Sequence, residues 1–177
     1  TMFNKGLEMI EARWLFDIPM PQVDVIVHPQ SVVHSMVEFV DGAILSQLST
    51  PDMCLPIQYA LTYPGRAASD RVQTDFAALG RLEFEAPDLV KFPALNQARR
   101  AGEIGGTLPA VLNAANEIAV DAFCEKQKSF VGIAELVAEV MDRHQVIEHP
   151  TLEEILEADN WARETARDMV GLRQAIA

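Results

Sequence analysis

Residues 32–49 read VVHSMVEFVDGAILSQLS, and this stretch decides the fold class. Two alternating runs flank Asp41-Gly42, a dipeptide that takes up positive φ readily and so makes a strong hairpin turn. A hairpin inside a helix-rich chain means that sheet and helix mix. Just upstream, Val23, Val25, Ile26 and Val27 form a β-branched run between Pro21 and Pro29, of the kind expected of a short buried strand. Further out, NKGLEMIEARWLF repeats Leu7, Ile10, Trp14 and Leu15 at helical spacing, which predicts a helix over 4–16. The prolines of DIPMPQ end it. On the other side, Pro51-Asp52 reads as a helix start with Ile57, Ala60 and Leu61 as the buried stripe, stopped at Tyr63-Pro64-Gly65.

From 65 to 93 the hydrophobic period is lost, and Gly80, Pro87 and Pro93 punctuate what reads as a linker. Helical periodicity then returns in three long patterns: 94–101 extended by 108–127, then 132–145, then 152 to the end. Thr107 before Pro109, and Thr151 with Glu154 three residues on, are the expected N-cap signals. The fold class is therefore α+β: helix mixed with a hairpin-containing sheet over 1–64, a linker over 65–93, and a C-terminal all-α helix bundle over 94–177. The helical pattern begins almost at Thr1, an abrupt entry that suggests a truncated chain.

The net charge of −12, with acidic residues in excess in both halves, would repel phosphate backbones and argues against nucleic-acid binding. Cys54 and Cys124 stand far apart without CxxC or His-rich context, so neither a disulfide framework nor a zinc site is expected, and a cytoplasmic location fits. No apolar run approaches the ~18–20 residues of a membrane span.

Chemistry has three places to sit. On the first helix Asn4 and Glu8 are four apart and share a face, Glu11 follows three further on, and Lys5 lies beside them. A helix N-terminus with a lysine suits a phosphate or polyol, and Glu8 could hold a divalent cation. The plain alternative is a solvated face. One carboxylate is also too few for Mg²⁺ or Mn²⁺, which take about six oxygen ligands, so any partners of Glu8 lie outside this chain. In HPQSVVH, His28, Gln30 and Ser31 cluster at a strand end and His34 enters the hairpin; a neutral structural histidine is the ordinary reading of each. In TPDM, Met53 reads as core filler unless outside support gives it a role. Asn113, Asn116 and Glu117 of NAANE read as residues that tie helices together, and His144 and His149 as solvent-facing.

FNKGLEMIEARWLF, HPQSVVHSMVEF, DGAILSQL, TPDMCLPI and LNAANEIAVDAF together resemble the 1-deoxy-D-xylulose 5-phosphate reductoisomerase family of the non-mevalonate isoprenoid pathway. The resemblance covers essentially the whole chain. It implies an NADPH-binding Rossmann-type domain upstream, a central domain carrying metal and substrate ligands, and a helical bundle that braces them. By position, Glu8 matches an acidic ligand of the divalent cation (Mn²⁺, Mg²⁺ or Co²⁺), and Asn4 and Lys5 match side chains that bind the substrate's hydroxyl and phosphate groups. His34 matches a histidine near the active site, and Pro51 with Met53 resembles the loop close to nicotinamide and substrate. The implied partners are a sugar phosphate, the missing N-terminal part of the same protein and a second copy in a homodimer. A non-catalytic helical dimerisation or interaction module derived from that family is the rival reading, and the 177-residue chain alone is expected to be inactive.

Overall fold

The computed structural model describes residues 1–174. In chain order its elements are α1 (Phe3–Phe16), a 3₁₀ turn (Met20–Gln22), β1 (Val33–Glu38), β2 (Ile44–Leu48), α2 (Cys54–Thr62), α3 (Phe76–Leu79), α4 (Ala94–Ile104), α5 (Leu108–Cys124), α6 (Phe130–Arg143) and α7 (Leu152–Gln174). Among the described residues no helix is long and apolar enough to cross a membrane. The α+β reading holds: helices dominate and one two-stranded sheet accompanies them.

The chain forms two compact units, residues 1–25 with 87–177 and residues 26–86, a division that differs from the one the sequence suggests. Helix α1 belongs with the bundle, because Phe3 and Ile10 enter the bundle's core cluster while Met9 packs with Met20 and Leu95. A periodic stripe tells that a helix has an apolar face, but not which partner covers it.

The first unit is built around α5. Val111, Leu112, Ala114, Ala115 and Ala119 are fully buried, and α5 packs against both α6 and α7. On α7, Ala158, Ala162 and Ala166 recur every four residues and are buried, so this long helix approaches closely along one line. Ser129 caps α6 by accepting from the Gly132 N–H at 3.0 Å. The predicted capping box at the start of α7 forms both ways: Glu154 N–H donates to Thr151 Oγ1 at 3.2 Å, and Thr151 N–H to Glu154 Oε2 at 2.7 Å. The single helical pattern expected over 94–127 is instead broken at Gly105 and Gly106, whose φ values of 71° and 57° suit glycine and turn the chain between α4 and α5.

No strand forms over 23–27. Val23 and Val25 lie half-buried against the Met9–Met20–Leu95 cluster, and the Met20 and Val23 carbonyls accept from the Arg99 guanidinium at 3.2 and 3.3 Å. Only Val27 pairs, with Glu85, as an isolated antiparallel bridge.

The second unit contains the hairpin as expected, β1 pairing antiparallel with β2 through a register shift between Val33 and Ser35. Phe39 N–H bonds to Ala43 O at 2.8 Å and Gly42 N–H to Phe39 O at 2.9 Å, with Gly42 at φ 82°, so three residues close the loop and glycine supplies its positive φ. Residues 65–86 are not a bare linker. Thr50 N–H donates to Thr74 Oγ1, Thr50 Oγ1 to Gln73 O, and Gln58 Nε2 to Ala67 O, fastening this segment to the hairpin's exit and to α2. Among the described residues of this unit only Val32 and Ser49 are buried. The stripe expected to be buried on α2 is open, with Ile57 and Leu61 exposed, because no element of its own unit covers it.

Candidate functional site on helix α1

Helix α1 divides sharply. Phe3, Gly6, Met9 and Ile10 are buried, while Asn4, Lys5, Glu8 and Glu11 are exposed. The amphipathic sequence thus does two things: its apolar stripe is spent on the bundle, and its first turns present a polar amide, an ammonium and carboxylates to the outside. Met2 at φ 67° opens the helix without a side-chain cap of its own, and the Phe3 N–H donates to Thr1 Oγ1 at 3.4 Å.

Lys5 Nζ donates to Glu8 Oε2 at 2.6 Å, with the two side chains 45% and 55% exposed. A pair this exposed contributes about 0–1 kcal/mol, so a phosphate on Lys5 and a cation on Glu8 can replace it at small cost. Glu8 offers a hard oxygen donor suited to Mg²⁺ or Mn²⁺. Among the described residues no group of three or more His, Cys, Asp or Glu could enclose a metal ion.

The other predicted residues belong to the second unit. His34 Nε2 lies 3.1 Å from Ser49 O; a carbonyl only accepts, so Nε2 carries the hydrogen and Nδ1 is left as the ring's acceptor. Pro51 and Met53 are exposed at the start of α2, Met53 at 70% rather than filling a core. Between them Asp52 Oδ1 accepts from the Cys54 N–H at 2.8 Å, and that bond holds the Asp52 carboxyl below the usual carboxylate range. The HPQ cluster is structural. His28 Nδ1 donates to Glu83 O at 2.7 Å, its ring stacks on Phe84, and Gln30 and Glu83 exchange two hydrogen bonds at 2.8 and 3.0 Å.

In the bundle, Arg163 joins Glu117 at 2.8 Å and Asp159 at 2.7 Å, and both carboxylates keep the guanidinium protonated well above its ordinary range. Of the NAANE residues Glu117 ties α5 to α7, at the surface, while Asn113 Nδ2 donates to Glu117 Oε1 within α5. His144 departs from the solvent-facing expectation. Its Nε2 lies 2.7 Å from Thr107 Oγ1, its ring packs on Trp161, and burial pushes its pKa down. Thr107 does not cap α5; it is fully buried, and its Oγ1 also accepts from the Ile147 N–H at 3.1 Å. These partners lie about forty residues away in sequence, and no local signal announces them. His149 is exposed, as expected.

A family model described as the DXP reductoisomerase C-terminal domain matches residues 48–165. The 1-deoxy-D-xylulose 5-phosphate reductoisomerase of Citrifermentans bemidjiense is 55% identical over 97% of this chain and 45% of that protein. Its counterpart in Symbiobacterium thermophilum is 58% identical over 95% of this chain and 43% of its own length. Among solved structures, the enzyme from Zymomonas mobilis in complex with NADPH superposes with a TM-score of 0.90 at 46% identity, covering 96% of this chain and 45% of that one. A DOX-P reductoisomerase in complex with NADPH, fosmidomycin and magnesium gives a TM-score of 0.86 at 44% identity over 98% of this chain. The chain therefore spans less than half the length of the relatives it matches. Agreement this close over nearly its whole length, in sequence and in fold, means that the chain belongs to the DXP reductoisomerase family.

Proposed function

We propose that this chain is the C-terminal part of an NADPH- and divalent-metal-dependent reductoisomerase that converts 1-deoxy-D-xylulose 5-phosphate to 2-C-methyl-D-erythritol 4-phosphate. The observation that carries the proposal is α1 itself, with Asn4, Lys5 and Glu8 exposed within its first two turns while the opposite face is anchored in a core. In this reading Lys5 receives the substrate phosphate and Asn4 a substrate hydroxyl, so binding energy from the phosphate end goes into holding the reacting carbons in place. Glu8 supplies one carboxylate oxygen to the cation. A cation held there would supply Lewis-acid chemistry at the substrate's carbonyl group. His34, whose Nε2 is engaged by Ser49, offers Nδ1 to accept from a substrate hydroxyl. Pro51 and Met53 form an exposed, partly apolar corner suited to the nicotinamide ring of NADPH.

The same reading makes the working enzyme a cytoplasmic homodimer. Both cysteines are free, Cys54 partly exposed and Cys124 exposed, which suits a reducing compartment. The hairpin's exposed Met36, Val37, Ile44 and Leu45 give apolar surface for association. The test is Glu8→Gln in the full-length protein, which is expected to weaken Mn²⁺ binding and cut turnover while NADPH affinity stays unchanged. Unaltered metal dependence of the rate would remove Glu8 from the ligand set.

A further inference from the structure

Gly6 sits in the middle of the polar turns of α1 and faces the other way. A Cβ placed on it would lie 2.6 Å from the Cβ of Ala98 on α4, where ordinary carbon contacts are about 3.5–4.0 Å. Asn4 and Glu8 are each two positions from Gly6, about 200° round the helix, and so within about 20° of directly opposite the contact. Any change in spacing at Gly6 and Ala98 therefore moves Asn4 and Glu8 along the line on which they meet their ligands.

We propose that Gly6 and Ala98 form a positioning contact that sets how far the Asn4–Glu8 face of α1 projects toward metal and substrate. This rests on the reading of Glu8 as a metal ligand. Helix α4 holds the segment after α1 in the same way one turn further on, where a Cβ on Gly102 would meet Met20 Sδ at 2.5 Å. Arg99, between Ala98 and Gly102 in sequence with neither face free to turn, fixes the exit by donating to the Met20 and Val23 carbonyls and to Asp24 Oδ1 at 3.1 Å. Phe3 and Ile10, buried in the bundle core, oppose rolling or sliding of α1, so a methyl at position 6 pushes the helix outward, by about 1 Å if normal contact is restored.

The test uses the full-length protein carrying Gly6→Ala, Ala98→Gly, the double swap and Glu8→Gln. Mn²⁺ binding is read by electron paramagnetic resonance, steady-state constants are measured for substrate and NADPH, and thermal midpoints are recorded. Gly6→Ala should weaken Mn²⁺ binding about tenfold and lower kcat by up to about 100-fold, the scale set by a 1 Å misplacement, while the KM for NADPH stays within about threefold. Ala98→Gly should leave Mn²⁺ binding within about threefold. The double swap moves the methyl to the other partner and should restore both Mn²⁺ affinity and kcat, an effect that a generally weakened fold would not produce. If Gly6→Ala does not fold, the swap decides alone, because a folded swap with poor Mn²⁺ binding overturns the proposal. Normal Mn²⁺ binding by Gly6→Ala, with Glu8→Gln impaired, overturns the positioning contact and leaves the Glu8 assignment standing. Normal Mn²⁺ binding by Glu8→Gln overturns both.

Discussion

Replacing Thr107 by valine keeps the side chain's shape and removes one oxygen. That oxygen is fully buried, accepts from the Ile147 N–H at 3.1 Å and faces His144 Nε2 at 2.7 Å. Oγ1 thus serves both the Ile147 N–H and the His144 ring at once, as a hydroxyl with one hydrogen and two lone pairs can. Valine leaves the Ile147 N–H and the His144 Nε2 without partners, each at about 1–3 kcal/mol. His144 is only partly buried and Ile147 is exposed, so water recovers some of this, and about 2–3 kcal/mol in total is expected. Thr107→Ser keeps the oxygen and loses one methyl from a filled site, about 1 kcal/mol. Urea unfolding of the 177-residue chain followed by far-ultraviolet circular dichroism measures both, provided the m-value is unchanged. A valine variant within about 0.5 kcal/mol of the parent, or a serine variant as unstable as valine, would refute this account of the α4–α5 corner.

Burial holds His144 below its ordinary pKa of 6.5, so the unfolded chain takes up a proton near that pH that the folded chain refuses until lower pH. Its contribution is complete above the unfolded pKa and is lost as pH falls through the folded one, at up to about 1.4 kcal/mol per pH unit. Comparing the urea stability of the parent with that of His144→Gln at pH 7.5 and 5.5 isolates it, and an identical pH response in the two proteins excludes it. Gly106→Ala should destabilise more than Gly105→Ala. Both sites have positive φ, but a Cβ at 106 would clash with the Ile147 carbonyl oxygen while one at 105 would meet nothing within 4 Å. The strain alone costs about 1–2 kcal/mol, and equal losses for the two would show that the Ile147 contact relaxes freely. Ala162→Leu places three extra carbons on the buried line of α7 and should cost about 1–3 kcal/mol in the same unfolding assay. Unchanged stability there would mean that α7 has room to retreat.

The parts of this molecule legible in its sequence are those that local chemistry determines. Asp41-Gly42 specifies the hairpin because its loop needs a positive φ where glycine stands, and Thr151 with Glu154 specifies the start of α7 because the two residues satisfy each other's N–H groups. Long-range choices were hidden. Val23 to Val27 have strand character, yet Arg99, some 75 residues on, takes the Val23 carbonyl and the Asp24 carboxylate. His144 reads as exposed from its place at a helix end, and only Thr107 and Trp161 make it part of the interior. At the candidate site the spacing of Asn4, Lys5 and Glu8 reads as one polar face of a helix, and the structure leaves all three exposed on α1. The meaning of Gly6 between them was not, because it depends on Ala98 across the helix interface.

The proposal that Glu8 serves as a metal ligand and Asn4 and Lys5 as substrate ligands in a longer reductoisomerase is open to direct test. The most direct measurement is NADPH oxidation, followed by absorbance, with 1-deoxy-D-xylulose 5-phosphate and Mg²⁺, for the 177-residue chain and for the full-length protein side by side. No turnover by the former and metal-dependent turnover by the latter is the expected result. Turnover by the 177-residue chain, or a full-length protein whose rate ignores chelation of the metal, would contradict the claim.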